Sequence, residues 1–187
     1  PGQKNDISKQ HPDIVKKMKD HYEKWWKGVE PGINDYVCTH IGSDMQQEVK
    51  LCSSSWLDVR ADGNGSARQP KKDYAMGGVW NLMVLKKGMY SMEFRRWPRE
   101  ADASLNAGLP VFVPRFGNPE PEGTALAVKK LHIRTASVDT CINVTGNEKF
   151  VHFETSFVEG KTIMQAWFSD KDDKPLCGVF YAYIRKK

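Results

Sequence analysis

The chain has 187 residues, of which 40% are hydrophobic and 27% are charged, with 28 basic and 23 acidic residues and a formal net charge of +5. This composition supports one packed domain with an appended element and excludes a disordered chain. The basic residues are scattered in short clusters typical of solvated surfaces, and no apolar run approaches the length of a membrane span. We therefore expect neither a nucleic acid nor a membrane as partner.

The first predicted element is a helix over residues 12–27. Its apolar side chains recur at helical spacing and share one face: Ile14, Val15, Met18, Tyr22, Trp25 and Trp26. Pro12 is typical of a first helical turn, and Gly28 is typical of a helix stop. This apolar face can pack either on the domain that follows or on a missing N-terminal domain, and the sequence does not decide between them.

After residue 33 the pattern changes to short strands separated by turns. Strands are predicted at residues 79–85, 89–97, 125–136, 150–157, 162–168 and 178–184. Residues 86–88 predict a hairpin between the first two strands, and the proline-rich stretch 98–124 predicts a long loop. The fold class we predict is mainly β, an antiparallel β-sandwich of jelly-roll type preceded by one N-terminal helix. The predicted domain bounds are 1–32 for the helical segment and 33–187 for the sandwich.

The cysteines and histidines lack the spacing of metal ligands. No C-x-x-C pair occurs among Cys38, Cys52, Cys141 and Cys177, so the sequence predicts no metal site and leaves disulfides and buried thiols both open. Neither a nucleophile elbow nor a glycine-rich phosphate loop is present, so no catalytic residue is predicted. A catalytic triad assembled from distant parts of the chain is not decided by sequence.

One short segment has the composition of a sugar-binding surface. Trp56 follows a run of serines and is itself followed by Asp58 and Arg60. Sugar binding commonly uses an aromatic ring for stacking and nearby polar groups for orientation. We therefore take Trp56, Asp58 and Arg60 as candidate substrate-binding residues, with a core tryptophan at a strand end as the alternative.

Several segments, in this order, resemble the region that follows the catalytic domain in bacterial arylsulfatases, the formylglycine-dependent sulfatases. The resemblance covers nearly the whole chain and is carried by residues 1–5, 11–16 (HPDIVK), 22–26 (YEKWW), 41–44 (IGSD), 49–51, 56, 78–81 (GVWN), 88–90 (GMY), 95–102 (RRWPREAD) and 176–181 (LCGVFY). One departure concerns residues 52–56, which read CSSSW here, whereas relatives often read TSHDW.

The resemblance implies a parent protein that hydrolyses sulfate esters with a formylglycine nucleophile and a bound calcium ion. Formylglycine forms from Cys-x-Pro/Ser/Ala-x-Arg, and none of the four cysteines stands in that pattern. The resemblance thus implies that this chain holds no cofactor, and that residues 1–32 link the sandwich to a missing catalytic domain. It also implies a periplasmic or secreted location.

Three functions remain in competition at this point. The first is a non-catalytic accessory domain that packs on the sulfatase catalytic domain of the same chain through the Trp25-Trp26 helix, borders its cleft and meets sulfated carbohydrate. The second is a free-standing carbohydrate-binding module, which exposed coplanar aromatic rings on one sheet face would support. The third is an independent hydrolase built on a β-sandwich.

Overall fold

The computed structural model describes residues 4–57, 59 and 63–187, with the side chains of residues 63–65 excepted. The chain divides into two compact units, Pro1–Val37 and Cys38–Lys187. The first unit contains helix α1, Pro12–Val29, which has Pro12 in its first turn as predicted and ends two residues beyond the predicted end. A difference of one or two residues at a helix end is ordinary, because the last turn of a helix frays.

The apolar face of α1 carries a cluster of aromatic rings. Tyr22 and Trp26 are stacked with centroids 6.2 Å apart, and Trp25 lies 5.8 Å from Tyr22. No residue of α1 is buried. Among the described helices, none has both the length and the apolarity that a membrane span requires.

The second unit is a β-sandwich. Its strands are β1 (Thr39–Ile41), β2 (Glu48–Cys52), β3 (Trp80–Val84), β4 (Gly88–Arg95), β5 (Lys130–Thr135), β6 (Asp139–Asn143), β7 (Val151–Phe157), β8 (Gly160–Ser169), β9 (Pro175–Gly178) and β10 (Tyr181–Lys186). A short helix, α2 (Gly63–Arg68), lies between β2 and β3. The first sheet has the order β1-β3-β8-β5-β6 with β9 on β8, and the second has the order β2-β10-β4-β7.

All strand pairs in the two sheets are antiparallel except β1 with β3. The predicted fold class, an antiparallel β-sandwich preceded by one N-terminal helix, is therefore confirmed. The predicted alternation is confirmed as well, since Tyr90, Met92 and Phe94 of β4 are fully buried, as are Leu131 and Ile133 of β5. These side chains enter one hydrophobic core shared by both sheets.

The hairpin predicted at residues 86–88 is wrong. β3 pairs with β1 and β8 in the first sheet, whereas β4 pairs with β10 and β7 in the second. Both edges of each strand are occupied, so the two cannot pair with each other. In both a hairpin and a turn that crosses between facing sheets, alternate residues of each strand point to the core. Periodicity alone therefore does not distinguish the two arrangements.

The strand predicted at residues 178–184 is divided between the two sheets. β9 pairs with β8 up to Gly178, and β10 begins at Tyr181 beside β2 and β4. Between them, the Val179 amide donates to Ala166 and the Phe180 carbonyl accepts from Ser53, at 2.9 Å each. The chain thus changes sheets at a corner whose backbone remains hydrogen-bonded to both.

A fully buried arginine organises the long loop that was predicted at residues 98–124. Arg96 donates to the carbonyl oxygens of Ala67, Ala107 and Thr124 at 3.1, 3.1 and 2.6 Å. Burial lowers the pKa of Arg96, yet an arginine stays charged in proteins. Its donors therefore fix three separate backbone segments at the end of the sandwich.

Candidate functional site

The three residues singled out from sequence have different outcomes. Trp56 is only 6% exposed, and its ring lies 5.7 Å from that of Trp80 and 5.4 Å from that of Phe180. A ring enclosed in this way has no face for a sugar, so the stacking role is corrected to the core role that stood as its alternative. Asp58 and Arg60 lie outside the described residues.

Glycines close the space around Trp56. A Cβ atom on Gly178 would lie 2.6 Å from the Trp56 ring, and one on Gly77 would lie 2.9 Å from it. Gly77 also has a φ of +63°, a conformation that side-chain-bearing residues rarely adopt. The backbone at Gly77 and Gly178 is thereby held directly against the buried ring.

This glycine-lined wall continues into a surface groove, here called the Tyr74 groove. It has a volume of about 390 Å³ and is lined by Val59, Lys72, Asp73, Tyr74, Ala75, Met76, Gly77, Lys174 and Pro175. Of the segment that the sequence singled out, the described residue Val59 lines this groove and Trp56 does not.

The Tyr74 groove is held by backbone hydrogen bonds and by one side chain from the sheet. The Tyr74 amide donates to the Lys71 carbonyl at 3.1 Å, and the Gly77 amide donates to the Tyr74 carbonyl at 2.8 Å. Gln165 of β8 donates its amide to the Gly77 carbonyl at 3.3 Å. The groove wall is therefore tied to the first sheet.

The lining of the Tyr74 groove combines apolar and charged groups. Tyr74 is 37% exposed, and Val59, Ala75, Met76 and Pro175 supply apolar surface. The charged groups among the described lining residues are Lys72, Lys174 and Asp73. A concave, mostly apolar surface with an aromatic ring and a few polar groups suits an amphipathic ligand such as a sugar.

A second groove, here called the basic groove, has a different character. It measures about 510 Å³ and is lined by Gly42, Ser43, Asp44, Gln47, Arg185, Lys186 and Lys187. A hydrogen bond and the charge of Lys86 hold the pKa of Asp44 below its ordinary value. With three cations and no aromatic ring among its described lining residues, this groove suits a small anion better than a sugar ring.

A polar cluster, here called the His132 cluster, lies on the outer face of the first sheet and consists of His132, Cys141, Ser169 and Asp173. His132 Nε2 lies 2.8 Å from Ser169 Oγ, 3.8 Å from Cys141 Sγ and 3.5 Å from Asp173 Oδ1. The imidazole ring stacks on Trp167 of β8, with centroids 4.8 Å apart and planes 2° from parallel. The sequence did not predict this cluster because its residues come from β5, β6, β8 and the turn after β8. They meet only through the pairing of these strands.

The His132 cluster does not have the geometry of a catalytic triad. In a triad the nucleophile and the carboxylate contact opposite nitrogens of the imidazole. Here Ser169 and Asp173 both approach Nε2, and Ser169 is fully buried. Burial lowers the pKa of His132 and raises the pKa of Cys141, so the thiol is not activated as a nucleophile.

A scan of protein-family models finds no match for this chain, and neither does a search of the curated proteins. Among solved structures, a family 35 carbohydrate-binding module from Cellvibrio japonicus Abf62 aligns at 10% identity and a TM-score of 0.44, covering 73% of this chain and 91% of that one. A family 35 module from Clostridium thermocellum aligns at 10% identity and a TM-score of 0.38, covering 76% of this chain and all of that one. Pika GITRL aligns at 18% identity and a TM-score of 0.28, covering 57% and 73%. Because these scores are below 0.5, the function is argued below from the residues of this chain.

Proposed function

We propose that the sandwich, residues 38–187, is a non-catalytic carbohydrate-binding domain that holds its sugar in the Tyr74 groove. The observation that carries this proposal is the half-exposed Tyr74 ring in a groove with apolar walls and charged rims. Sugar rings present apolar C–H faces that pack on an aromatic ring, while their hydroxyls bond to polar groups at the rim.

The sheet faces do not offer a flat aromatic platform in the part of the chain that the structure describes. The aromatic side chains of the sandwich with more than a third of their surface exposed are Tyr74, Phe112, Phe116 and Phe150. None of these four lies within a strand. This distribution favours a binding mode in a groove between loops over one on an open sheet face.

The charge of the groove indicates an acidic sugar. Among the lining residues that the structure describes, Lys72 and Lys174 exceed the carboxylate of Asp73 by one positive charge. An ammonium group binds a sulfate or carboxylate substituent as a compact point charge. Together with the resemblance to sulfatases, this charge supports sulfated carbohydrate as the ligand class.

Calorimetric titration of the full chain with a sulfated oligosaccharide and with its desulfated form tests this proposal. We expect Tyr74→Ala to weaken binding of the sulfated ligand at least about tenfold, or about 1.4 kcal/mol. The matched control is Phe150→Ala, since Phe150 is similarly exposed but contacts Arg95 at the second sheet.

Two results would overturn the assignment of the Tyr74 groove. One is equal loss of affinity in the Tyr74→Ala and Phe150→Ala proteins. The other is loss of binding only when Lys186 of the basic groove is replaced by glutamine. Equal affinity for the sulfated and desulfated ligands would contradict the proposed preference for an acidic sugar, but not the assignment of the Tyr74 groove.

We also propose that the domain serves a sulfatase catalytic domain in the same polypeptide, which would be periplasmic or secreted. The resemblance in sequence supports this role, and so does α1, whose apolar face is about half exposed at Ile14, Tyr22 and Trp25. Exposed apolar surface of this size is typical of a segment that packs on a further domain.

The DNA sequence upstream of the codon for Pro1 tests the sulfatase role. We expect a reading frame that encodes Cys-x-Pro/Ser/Ala-x-Arg several hundred residues earlier. An initiator methionine or a signal peptide immediately before Pro1 would contradict the sulfatase role while leaving carbohydrate binding intact.

A further inference from the structure

Three potential metal ligands of different chemical types meet on the outer face of the first sheet. His132 lies on β5, and Cys141 is its register partner on β6. Asp173 comes from the turn between β8 and β9. One ligand atom from each of these residues lies within 4.8 Å of the other two.

Two of the three distances among these atoms lie close to those around a small tetrahedral cation. His132 Nε2 is 3.8 Å from Cys141 Sγ and 3.5 Å from Asp173 Oδ1. Around tetrahedral Zn²⁺, with bonds of about 2.0 Å to nitrogen or oxygen and 2.3 Å to sulfur, such ligand atoms are about 3.3 to 3.6 Å apart. Shifts of a few tenths of an ångström therefore bring these two distances into range. Cys141 Sγ and the Asp173 carboxylate lie within 4.8 Å of each other, so closing this third pair around the ion takes a side-chain movement of up to about 1.3 Å.

The surrounding residues hold two of the ligands in place. The His132 ring is fixed in plane by its stack on Trp167. Lys130 donates to Asp173 Oδ2 at 2.7 Å and leaves Oδ1 directed at His132. A carboxylate whose second oxygen is hydrogen-bonded is typical of monodentate metal ligation.

The turn that carries Asp173 is also constrained. Asp173 has a φ of +62°, which is uncommon for a residue with a side chain. Asp170 stabilises the turn by accepting hydrogen bonds from the Asp172 and Lys174 amides at 2.9 and 3.0 Å. Asp173 is thereby positioned above β5 without depending on a bound ion.

We propose that His132, Cys141 and Asp173 form a Zn²⁺ site with three protein ligands and a fourth position open to solvent or to an exogenous ligand. A thiolate, an imidazole and a carboxylate are all ligands that Zn²⁺ accepts, and three protein ligands define an open site. None of these three residues is among those that line the Tyr74 groove, although Asp173 directly precedes Lys174, and the site does not depend on carbohydrate binding.

Neighbouring groups limit the affinity of this site and do not abolish it. The positive charge of Lys130 opposes a cation, and Ser169 Oγ lies 2.8 Å from His132 Nε2 and competes for it. The thiolate and the carboxylate together supply two negative charges, which outweigh one ammonium group at similar distance. Metal binding requires the tautomer that carries its proton on Nδ1, so that Nε2 presents a lone pair to the metal in place of its contact with Ser169 Oγ.

Titration of the full chain with Co²⁺ as a spectroscopic substitute for Zn²⁺ tests this proposal. We expect one equivalent to produce a thiolate-to-cobalt charge-transfer band, which Zn²⁺ then removes. Cys141→Ser should abolish the band, and His132→Gln and Asp173→Asn should each weaken binding at least about tenfold. The matched controls are Cys52→Ser and His152→Gln, because Cys52 and His152 are a thiol and a strand imidazole outside the site.

Alkylation of the unmodified chain provides a second measurement that does not require any variant to fold. Zn²⁺ should slow the reaction of iodoacetamide with Cys141 at least about tenfold relative to Cys52. The proposal is overturned if Zn²⁺ protects both cysteines equally or neither. It is equally overturned if the cobalt band is lacking in the wild-type chain or survives in the Cys141→Ser protein.

Discussion

At the scale of single residues, the sandwich stabilises its buried charged side chains in two ways. Arg96 is fully buried and contacts backbone carbonyls. Glu93 of β4, by contrast, accepts hydrogen bonds from Arg95 and from Arg99, whose guanidinium also reaches Glu48 of β2 at 2.6 Å. Arg99 lies over the Tyr183 ring of β10 at 3.9 Å. This group joins three strands of the second sheet through side chains.

The stability of the domain should depend on pH through Glu93. Burial raises the pKa of Glu93, but hydrogen bonds from Arg99 and Arg95 outweigh burial and bring it below the ordinary value of 4.5. A lowered folded-state pKa stabilises the fold at pH values above the unfolded-state pKa, and this contribution is lost as the pH falls through the folded-state value.

Chemical denaturation of the wild-type and Glu93→Gln proteins between pH 7 and pH 3 measures this contribution. At pH 7 we expect Glu93→Gln to lower the free energy of unfolding by about 1 to 3 kcal/mol. The difference should shrink as the pH falls below 4.5. Glu159→Gln, on the exposed connection between β7 and β8, is the control, and a difference for Glu93→Gln that stays constant with pH would contradict the account.

The same scale shows why the candidate site was only partly predictable from sequence. A tryptophan beside serines has the same local sequence whether its ring faces solvent or core. Trp56 is buried because Gly77 and Gly178, which lie far from it in sequence, let backbone approach its ring. Tyr74 has no local signal of its own, since its role depends on Pro175 and Lys174 across the groove.

At the scale of elements, periodicity predicted the strands whose two faces differ most. β4 alternates fully buried and partly exposed residues, and its predicted core face of Tyr90, Met92 and Phe94 is correct. The sequence did not predict β1, β2 or β6, nor β9 before its last residue, Gly178. β1 has three residues, and β6 has no buried residue, so neither has the contrast that alternation requires.

Partner choice among strands was not predictable by the same means. β3 and β4 are joined by a short connection yet belong to different sheets, as do β7 and β8. The two strands on either side of each connection pack on the same core, so their burial patterns do not show which sheet they join. The pairing is decided by which strand edges are free to form hydrogen bonds. The His132 cluster depends on this pairing, because β5 with β6 and β8 brings Cys141 and Trp167 beside His132.

At the scale of the whole molecule, the Tyr74 groove and the basic groove differ in chemistry. The Tyr74 groove offers an aromatic ring with apolar walls, and the basic groove offers three cations around Asp44. A sulfated sugar carries both an apolar ring face and an anionic group. We assign the sugar to the Tyr74 groove because electrostatic attraction alone contributes more to the association rate than to specific affinity.

Hydrogen–deuterium exchange of the full chain, with and without a saturating sulfated oligosaccharide, tests this central claim most directly. The account predicts slower amide exchange in peptides that cover residues 72–77 and 174–178, and unchanged exchange at residues 42–47 and 185–187. Slower exchange confined to residues 42–47 and 185–187, or no change anywhere at saturating ligand, would contradict it.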